Sequence, residues 1–462
     1  MMNIQARQPP IGDRLVNAAF VRVIEPIRRI RRRDHSGRYV AEVASLADAT
    51  PDIIESHQVS RLRDLIDIAL RSAFYRPRLL AADLSAATDF TWERWRRLAP
   101  IGKSIVRESG RSMIPTGVDV ASLRQSATGG TTQSPAPLWM DYECLDRRWA
   151  ATRFFDSQLG FHVGMKAAYL WGAVQDFPKP KPSEVGILTD LGRRLFLPSD
   201  KLDAATLDAY VVRLREFRPE LLQAYPTPLE LLARHMLERG VRIEVPRITC
   251  TAEPLLEYQR DVVRRAFGTN PIEWYGAREA GRLATECWAH EGLHVNAWGL
   301  LIEVGDPVLP DGSAPLLVTD LWNRGMPILR YAIDDLGLLE SNRCRCGSYA
   351  PRLVKLAGRV ADMFVNSRGV RVAGVSLTNR IIKECSAIRE LQIVQKAIGR
   401  FELRVVRGPE FAASAIDDLT TRLDAFMGEP NDVTVVMVDH IPRESSGKVR
   451  FCKNEVGTAH AT

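Results

Sequence analysis

Hydrophobic and polar positions follow two different periods along most of the chain. Apolar residues recur at helical spacing in 61–80, where the pattern stops near Pro77, and again in 142–159, 205–217, 228–239 and 255–267. Short apolar runs typical of strands lie between these segments, at 167–172, 221–225, 247–251, 271–275, 300–304 and 315–319. Strands that alternate with helices of ordinary length predict a layered α/β core.

The pattern changes after about residue 358. It reads strand, helix, strand, strand, helix, strand, at 362–366, 374–385, 390–397, 401–406, 413–427 and 433–438. This order predicts a compact α+β unit of about 100 residues. We therefore expect a large domain over 1–358, with a variable extension over 1–60, and a small domain over 359–462.

Composition narrows the class of protein. The chain has 462 residues, 26% charged and 45% hydrophobic, which disfavours wholesale disorder, collagen and coiled coil. Lys and Arg total 63 against 56 acidic residues, a net charge of +7 that suits either nucleic acid or an enzyme of nucleotides and anionic thiols. The basic run at 28–33 lacks interleaved aromatic residues, so it predicts a solvated helix face or a mobile arm, and we expect no nucleic-acid partner.

Cysteine usage and hydropathy predict a compartment. Seven cysteines in a chain of this length, with one close pair, do not form a disulfide scaffold. No apolar run reaches the length of a transmembrane helix, and the first residues lack the apolar core of a signal peptide. We expect a cytoplasmic protein without a membrane partner, either monomeric or homodimeric.

Two segments carry residue types suited to nucleotide chemistry. The stretch 126–135 is rich in Ser, Thr and Gly, whose N–H and hydroxyl groups can hold phosphate oxygens, although a flexible turn has the same composition. The stretch 274–281 follows a predicted strand with an aromatic ring, Gly276 and the carboxylate of Glu279. The ring could stack on a base and the carboxylate could hold Mg²⁺, or the segment is an ordinary strand and turn.

Three more segments complete an ordered set, at 320–337, 358–363 and 441–450, the last with Lys448 on a Ser/Gly loop. In this order the five segments resemble the adenylate-forming superfamily of acyl-CoA synthetases, over about residues 60–451. The resemblance is strongest to the branch of phenylacetate-CoA ligases and their capsule-biosynthesis-like relatives. The signals for that branch lie at 252–255, 292–295, 323–327 and 344–347.

The resemblance implies roles for particular residues. The phosphates of ATP would lie against the Ser/Thr/Gly loop, at Thr128, Gly129, Gly130, Thr131 and Thr132. Ala252, Glu253 and the Tyr275–Gly276 pair would frame the adenine, and Asp335 and Arg359 would hold the ribose. Glu279 would bind Mg²⁺, and Lys448 would bridge the acyl carboxylate and the α-phosphate. The catalytic set is thus Lys448, Glu279 and Arg359.

The chain departs from the family pattern at three places. Ala361 stands where the family has its hinge acid, with Asp362 next to it. Gln133 and Ser134 replace a late glycine and lysine of the phosphate loop, and Ala332 replaces a basic residue. These departures make the adenylation step better supported than the transfer to a thiol.

A metal site is also implied. Cys287, His294, Cys344 and Cys346 match positions that the branch often uses, and three thiolates with one imidazole suit structural zinc. His290 is a competing ligand. From spacing alone, free reduced cysteines on turns are the alternative.

The resemblance predicts an ATP-dependent, AMP-forming ligase that activates a small aromatic acid and passes it to CoA. The alternative is an adenylating enzyme of secondary metabolism with another acceptor, either an amine, a carrier-protein thiol, or nitrite joined to an aryl amine. Trp171, Tyr225 and Pro226 suggest a flat apolar slot for the substrate, or else plain core residues. A non-catalytic binding protein is disfavoured because Glu279 and Lys448 are retained.

Overall fold

The computed structural model describes residues 16–127, 136–172, 193–199, 201–359, 363–373, 387–408, 411–412, 414–442 and 450–456. The α-helices of these residues are α1 (Glu25–Arg32), α2 (Val40–Ala47), α3 (Pro51–Ala69), α4 (Tyr75–Ala81), α5 (Trp92–Arg97), α6 (Lys103–Ser109), α7 (Tyr142–Gln158), α8 (Ala204–Phe217), α9 (Pro226–Glu238), α10 (Glu257–Phe267) and α11 (Ser414–Met427). None of these helices is both long enough and apolar enough to cross a bilayer.

The strands in the same parts of the chain are β1 (Arg124–Ala127), β2 (Pro137–Met140), β3 (Ala167–Leu170), β4 (Arg194–Leu197), β5 (Leu221–Ala224), β6 (Ile248–Cys250), β7 (Ile272–Ala277), β8 (Gly281–Glu286), β9 (Leu293–Val295), β10 (Leu300–Val304), β11 (Ala314–Asp320), β12 (Tyr331–Glu340), β13 (Arg352–Arg359), β14 (Met363–Val365), β15 (Arg371–Ala373), β16 (Ile388–Ala397), β17 (Arg400–Arg407), β18 (Asp432–Met437) and β19 (Cys452–Asn454). Eleven of them form one large sheet, in the order β10-β11-β12-β13-β9-β8-β7-β6-β5-β3-β4. The α/β class expected from the sequence is confirmed.

One half of the large sheet is parallel. Strands β4, β3, β5, β6 and β7 run in the same direction, with α8, α9 and α10 connecting them. Asp203 caps α8 by accepting a hydrogen bond from the Thr206 N–H at 2.9 Å, and α10 ends at Gly268 with φ +75°. The strands and helices pack into one apolar core, so the periods read from the sequence match the observed elements.

The other half of the sheet, from β7 to β10, is antiparallel. The sequence pattern predicts β10 and β11 here and does not predict β8, β9, β12 or β13. β12 carries Asp334, Asp335 and Gly337, and the polar residues interrupt the alternation that marks a half-buried strand. Strand pairing on both sides, rather than local pattern, holds this segment extended.

The single helix predicted over 61–80 is wrong. The chain forms α3 and α4, separated by a turn at Leu70–Phe74. The Ser72 hydroxyl donates to the Ser112 carbonyl at 2.8 Å and accepts a hydrogen bond from the Tyr75 N–H at 3.3 Å, which starts α4. Pro77 lies in the first turn of α4, where its missing N–H costs nothing, and the helix continues to Ala81.

The described residues from Met363 onward form two smaller sheets, a hairpin of β14 and β15 and a four-stranded sheet in the order β18-β17-β16-β19. Helix α11 packs on the four-stranded sheet through Leu419 and Leu423, which are fully buried. Tyr258 of α10 packs against this second core, so the smaller sheets lie against the large domain. The domain division at 358–362 stays a prediction.

Candidate active site

The candidate residues follow the carboxyl ends of the parallel strands. Leu170 of β3 pairs with Ala224 of β5, Ala224 with Cys250 of β6, and Cys250 with Glu273 of β7. The next residues therefore lie side by side along one edge of the sheet, at spacings near 4.8 Å. Open α/β sheets bind ligands at this edge.

Three aromatic rings line part of that edge. The Trp171 ring lies 6.3 Å from the Tyr225 ring at an angle of 35° and 5.1 Å from the Tyr169 ring. Tyr169 stacks in turn on Phe196 at 5.3 Å and 20°. Pro226 is the first residue of α9 and directs the chain away from the edge. Trp171 and Tyr225 thus lie close together, as a flat apolar slot requires.

The segment after β6 has an unusual backbone. Ala252 adopts φ +74°, a left-handed conformation that costs a non-glycine residue energy and is found at functional sites. The next side chain, Glu253, is buried, and its Oε2 accepts hydrogen bonds from the N–H of Thr227 at 3.1 Å and from its hydroxyl at 2.7 Å. These bonds join residues 252–253, which are proposed to frame the adenine, to the start of α9.

Tyr275 and Asp335 meet although they are 60 residues apart. The Tyr275 hydroxyl donates to the Asp335 Oδ2 at 2.5 Å, which joins β7 to β12. Asp335 is also the register partner of Arg359 on β13, so the backbone brings the two proposed ribose-binding residues opposite each other. At Gly276 a Cβ would lie 2.7 Å from the Trp274 ring and 2.9 Å from the Gly281 carbonyl oxygen. Only glycine fits that position.

Glu279 lies at the tip of the β7–β8 hairpin. The Tyr331 hydroxyl donates to its Oε1 at 3.3 Å, and Arg148 donates to its backbone carbonyl. Burial and the Glu279 carboxylate raise the pKa of Tyr331, with further contributions from Asp334 and Asp335. The Glu279 carboxylate is a hard oxygen donor of the kind that Mg²⁺ prefers, so this residue fits the ion.

The four proposed zinc ligands also converge. The ligand atoms of Cys287, His294, Cys344 and Cys346 all lie within 4.8 Å of one another. The Cys287 and Cys344 sulfurs are 3.8 Å apart, the edge of a tetrahedron with metal–sulfur bonds of about 2.3 Å, and the Cys346 sulfur is 3.3 Å from His294 Nε2. Burial lowers the pKa of His294 to about 4, so its ring is neutral, as a ligand must be. The residues fit zinc. His290 instead bonds Asn270 at 2.9 Å.

The chain is similar to several known proteins. A family model described as the CapK C-terminal domain matches residues 364–455. Protein CapK of Staphylococcus aureus is 22% identical over 429 residues, which are 92% of this chain and 94% of that protein. Phenylacetate-coenzyme A ligase of Thermus thermophilus is 28% identical over 273 residues, covering 52% of this chain and 61% of that ligase. A structure of 2-hydroxyisobutyryl-CoA ligase in the postadenylation state matches with TM-score 0.69 and 18% identity, covering 89% of this chain and 91% of that one.

These similarities support the assignment of the chain to the adenylate-forming superfamily. They support in particular its phenylacetate-CoA ligase-like branch and an AMP-forming, acyl-CoA synthetase-like enzyme. Similarity to adenylate-forming ligases implies the use of ATP. The match covers about three fifths of the length of the Thermus ligase, and this partial match does not identify the substrate or the acceptor of the chain.

Some superfamily positions proposed from the sequence lie outside the described residues. They are the phosphate-loop residues Thr128, Gly129, Gly130, Thr131 and Thr132, the catalytic Lys448, and the side chain of Arg359. Ala252, Glu253, Tyr275, Gly276, Glu279 and Asp335 are all described and lie as the paragraphs above report.

Two features of this region were not predicted from the sequence. The first is Arg148 of α7, which donates hydrogen bonds to the backbone carbonyls of Arg278 and Glu279 in the β7–β8 hairpin. The second is a cavity of about 840 Å³ at the amino ends of β3 and β4, lined by α7 residues such as Trp149 and Arg153 and by the N-terminal helix. Tyr169, whose ring lies 5.1 Å from that of Trp171, also borders this cavity. Neither feature has a sequence signal, because each depends on residues far apart in the chain.

Proposed function

We propose that the protein adenylates a small aromatic carboxylic acid, releases pyrophosphate, and transfers the acyl group to CoA. The observation that carries the proposal is that Glu253 and Tyr275 come from neighbouring parallel strands, Tyr275 bonds Asp335, and Glu279 lies at the tip of the β7–β8 hairpin. The groups proposed to bind the adenine ring, the ribose and the metal ion therefore come from neighbouring strands, which supports the proposal.

The chemistry accounts for the types of residue. The substrate carboxylate attacks the α-phosphorus of ATP and pyrophosphate leaves, so negative charge builds up on the phosphoryl oxygens. A magnesium ion held by Glu279 would neutralise part of this charge. Lys448, together with the Ser/Thr/Gly loop at 128–132, would stabilise the rest as a positive point charge and a set of N–H and hydroxyl donors. Tyr275 holds the Asp335 carboxylate in place for the ribose hydroxyls.

The aromatic wall supports an aromatic acid. Trp171 and Tyr225 present tilted rings next to the strand ends from which Glu253 and Tyr275 come. An aromatic ring that packs against this pair would gain both apolar burial and ring–ring contact, worth about 0.5–1.5 kcal/mol beyond the buried area. Pro226 limits the slot on the α9 side.

The alternative is the same adenylation with another acceptor: an amine, a carrier-protein thiol, or nitrite joined to an aryl amine. One observation favours it, the match of residues 364–455 to the CapK C-terminal domain. The small domain carries the face that meets the second substrate in enzymes that rotate it between half-reactions. A small domain of CapK type would therefore be the part of the protein that recognises a different acceptor. The domains 1–358 and 359–462 are proposed to rotate about the segment that holds Ala361.

We propose that zinc in the Cys287, His294, Cys344 and Cys346 cluster is structural. All four positions are occupied by protein ligands, so the set leaves no open position for substrate. The ion would join the β8–β9 connection to the loop between β12 and β13.

The test is a pyrophosphate-release screen of aromatic acids and aryl amines, with and without CoA and nitrite. The proposal expects release that requires an acid and thioester formation that requires CoA. The Lys448→Ala variant should abolish release, and Lys453→Ala, in the same domain, should not. ATP binding without pyrophosphate release for any acid or amine would contradict the proposal. Release coupled to nitrite or an amine, with no response to CoA, would establish the alternative.

A further inference from the structure

A buried ion pair lies directly beneath the Glu279 hairpin. The Arg148 Nη2 is 2.6 Å from Asp320 Oδ2, and the Arg148 side chain is only 10% exposed while that of Asp320 is fully buried. Arg148 comes from α7 and Asp320 is the last residue of β11. A pair buried to this degree is a weak source of stability, because desolvating two charges offsets most of their attraction. Stability alone therefore does not explain why this ion pair lies beneath the hairpin.

The Asp320 carboxylate is fixed from two sides besides Arg148. Its Oδ1 accepts a hydrogen bond from the Trp322 N–H at 3.0 Å, and its Oδ2 lies 3.6 Å from the Cys144 sulfur. The carboxylate therefore cannot turn, and it holds the guanidinium in one orientation. The bond to Met140 Sδ at 3.1 Å constrains the guanidinium further.

The outward side of the guanidinium binds the hairpin tip. Arg148 Nη2 donates to the Glu279 carbonyl at 2.5 Å, and Nη1 donates to the Arg278 carbonyl at 3.3 Å. Gly281, at φ +78°, closes the turn, and a Cβ there would come within 3.2 Å of the Arg148 Cδ. Two consecutive carbonyls of a three-residue turn are thus held by one rigid cation, while Tyr331 holds the carboxylate of Glu279 from the other side.

From these contacts we infer that Arg148, oriented by Asp320, is a positioning residue that sets the Glu279 carboxylate for a divalent cation bound with the nucleotide. The inference rests on the proposed function, in which Glu279 meets that cation. Arg148 touches neither nucleotide nor metal. It acts on the backbone that carries the ligand, as outer groups around metal sites commonly do, and their loss typically weakens metal affinity by about 10- to 100-fold.

The test compares Arg148→Met, Arg148→Lys and Arg147→Met in the full chain. Arg147 is the matched control: it is the next residue of α7, its side chain is 9% exposed, and it pairs with Glu42 and Glu143, away from the hairpin. The first readout is calorimetric binding of α,β-methylene-ATP, which cannot be cleaved at the reacting bond, as a function of Mg²⁺ concentration. The second is hydrogen exchange of the amides at 278–281 without nucleotide.

We expect Arg148→Met to raise the Mg²⁺ concentration for half-maximal binding by about 10- to 100-fold and to leave metal-free nucleotide affinity within two-fold. Exchange at 278–281 should accelerate at least about ten-fold, as a loss of roughly 1.4 kcal/mol in local stability requires. Arg148→Lys keeps the pair with Asp320 and one carbonyl contact, so it should recover part of both effects. Arg147→Met should match the wild type.

An unchanged Mg²⁺ dependence in Arg148→Met, with the wild type binding nucleotide normally, would overturn the positioning role alone. Equal effects of Arg147→Met and Arg148→Met would also overturn it, because the cause would then be a general loss of packing on α7. If Arg148→Met does not fold, Arg148→Lys decides by the same two readouts. Failure of the wild type to bind the nucleotide with Mg²⁺ would overturn the proposed function itself, and the inference with it.

Discussion

Replacing Glu273 by glutamine should make the stability of the protein less dependent on pH. Glu273 is the second residue of β7, and its Oε1 accepts the Leu255 N–H at 3.2 Å. The Glu286 carboxylate lies close by, since its Oε2 accepts the backbone N–H of Glu273 at 2.9 Å. Burial first, and the like charge of Glu286 second, raise the pKa of Glu273 to about 7.

The sign and size follow from that pKa. An unperturbed glutamate has a pKa near 4.3, so between about pH 4.3 and 7 the folded chain binds a proton that the unfolded chain has lost, and stability falls as pH rises. At about 1.36 kcal/mol per pH unit, the 2.7-unit difference sets an upper limit of roughly 3.7 kcal/mol on the loss. Water still reaches part of the side chain, so we expect roughly 1–2 kcal/mol above pH 7 after allowing for screening.

The assay is urea unfolding of wild type, Glu273→Gln and Glu238→Gln at several pH values between 4.5 and 8. Glutamine resembles the protonated glutamate, so Glu273→Gln should equal the wild type near pH 4.5 and exceed it by roughly 1–2 kcal/mol at pH 8. Glu238 is exposed on the last turn of α9, and its variant should follow the wild type throughout. Wild-type and Glu273→Gln curves that stay parallel across the range would show that Glu273 titrates normally and refute the reasoning.

Three further outcomes are expected. Cys346→Ser should lose zinc by metal analysis and lower the melting temperature, whereas Cys250→Ala should keep the metal; equal zinc content in both would contradict the site. Tyr275→Phe, which removes the 2.5 Å bond to Asp335, should raise KM for ATP roughly ten-fold with little change in kcat, from about 1.5 kcal/mol for a hydrogen bond to a charged group. Trp171→Ala should change the preference among acids, measured as kcat/KM over a panel, more than the KM for ATP; the reverse would remove Trp171 from the acid slot.

The parallel half of the fold could be predicted because each of its elements has a local signal. Strands β3, β5 and β6 are short apolar runs, and α8, α9 and α10 carry apolar residues at helical spacing. The antiparallel strands β12 and β13 have no such signal, since they carry Asp, Lys and Gly where alternation would need apolar residues. Pairing with neighbours far along the chain decides their conformation, and spacing within one segment cannot show it.

The candidate site divides in the same way. The aromatic–glycine–acid segment around Glu279 and the cysteine pair at 344 and 346 are recognisable from sequence and from the family resemblance. The bond between Tyr275 and Asp335, and the grip of Arg148 on the hairpin, join residues separated by 60 and 131 positions. From sequence alone, an arginine in the middle of a helix is predicted to be a solvated charge. Only the fold shows that Arg148 is buried against Asp320.

The central claim is that a carboxylate oxygen attacks the α-phosphorus of ATP, and oxygen labelling tests it most directly. The protein is incubated with ATP, CoA and an aromatic acid carrying ¹⁸O in its carboxylate, and the products are analysed by mass spectrometry. The account predicts AMP that carries ¹⁸O from the acid, together with unlabelled pyrophosphate. Label found in inorganic phosphate, with ADP as the nucleotide product, would contradict it.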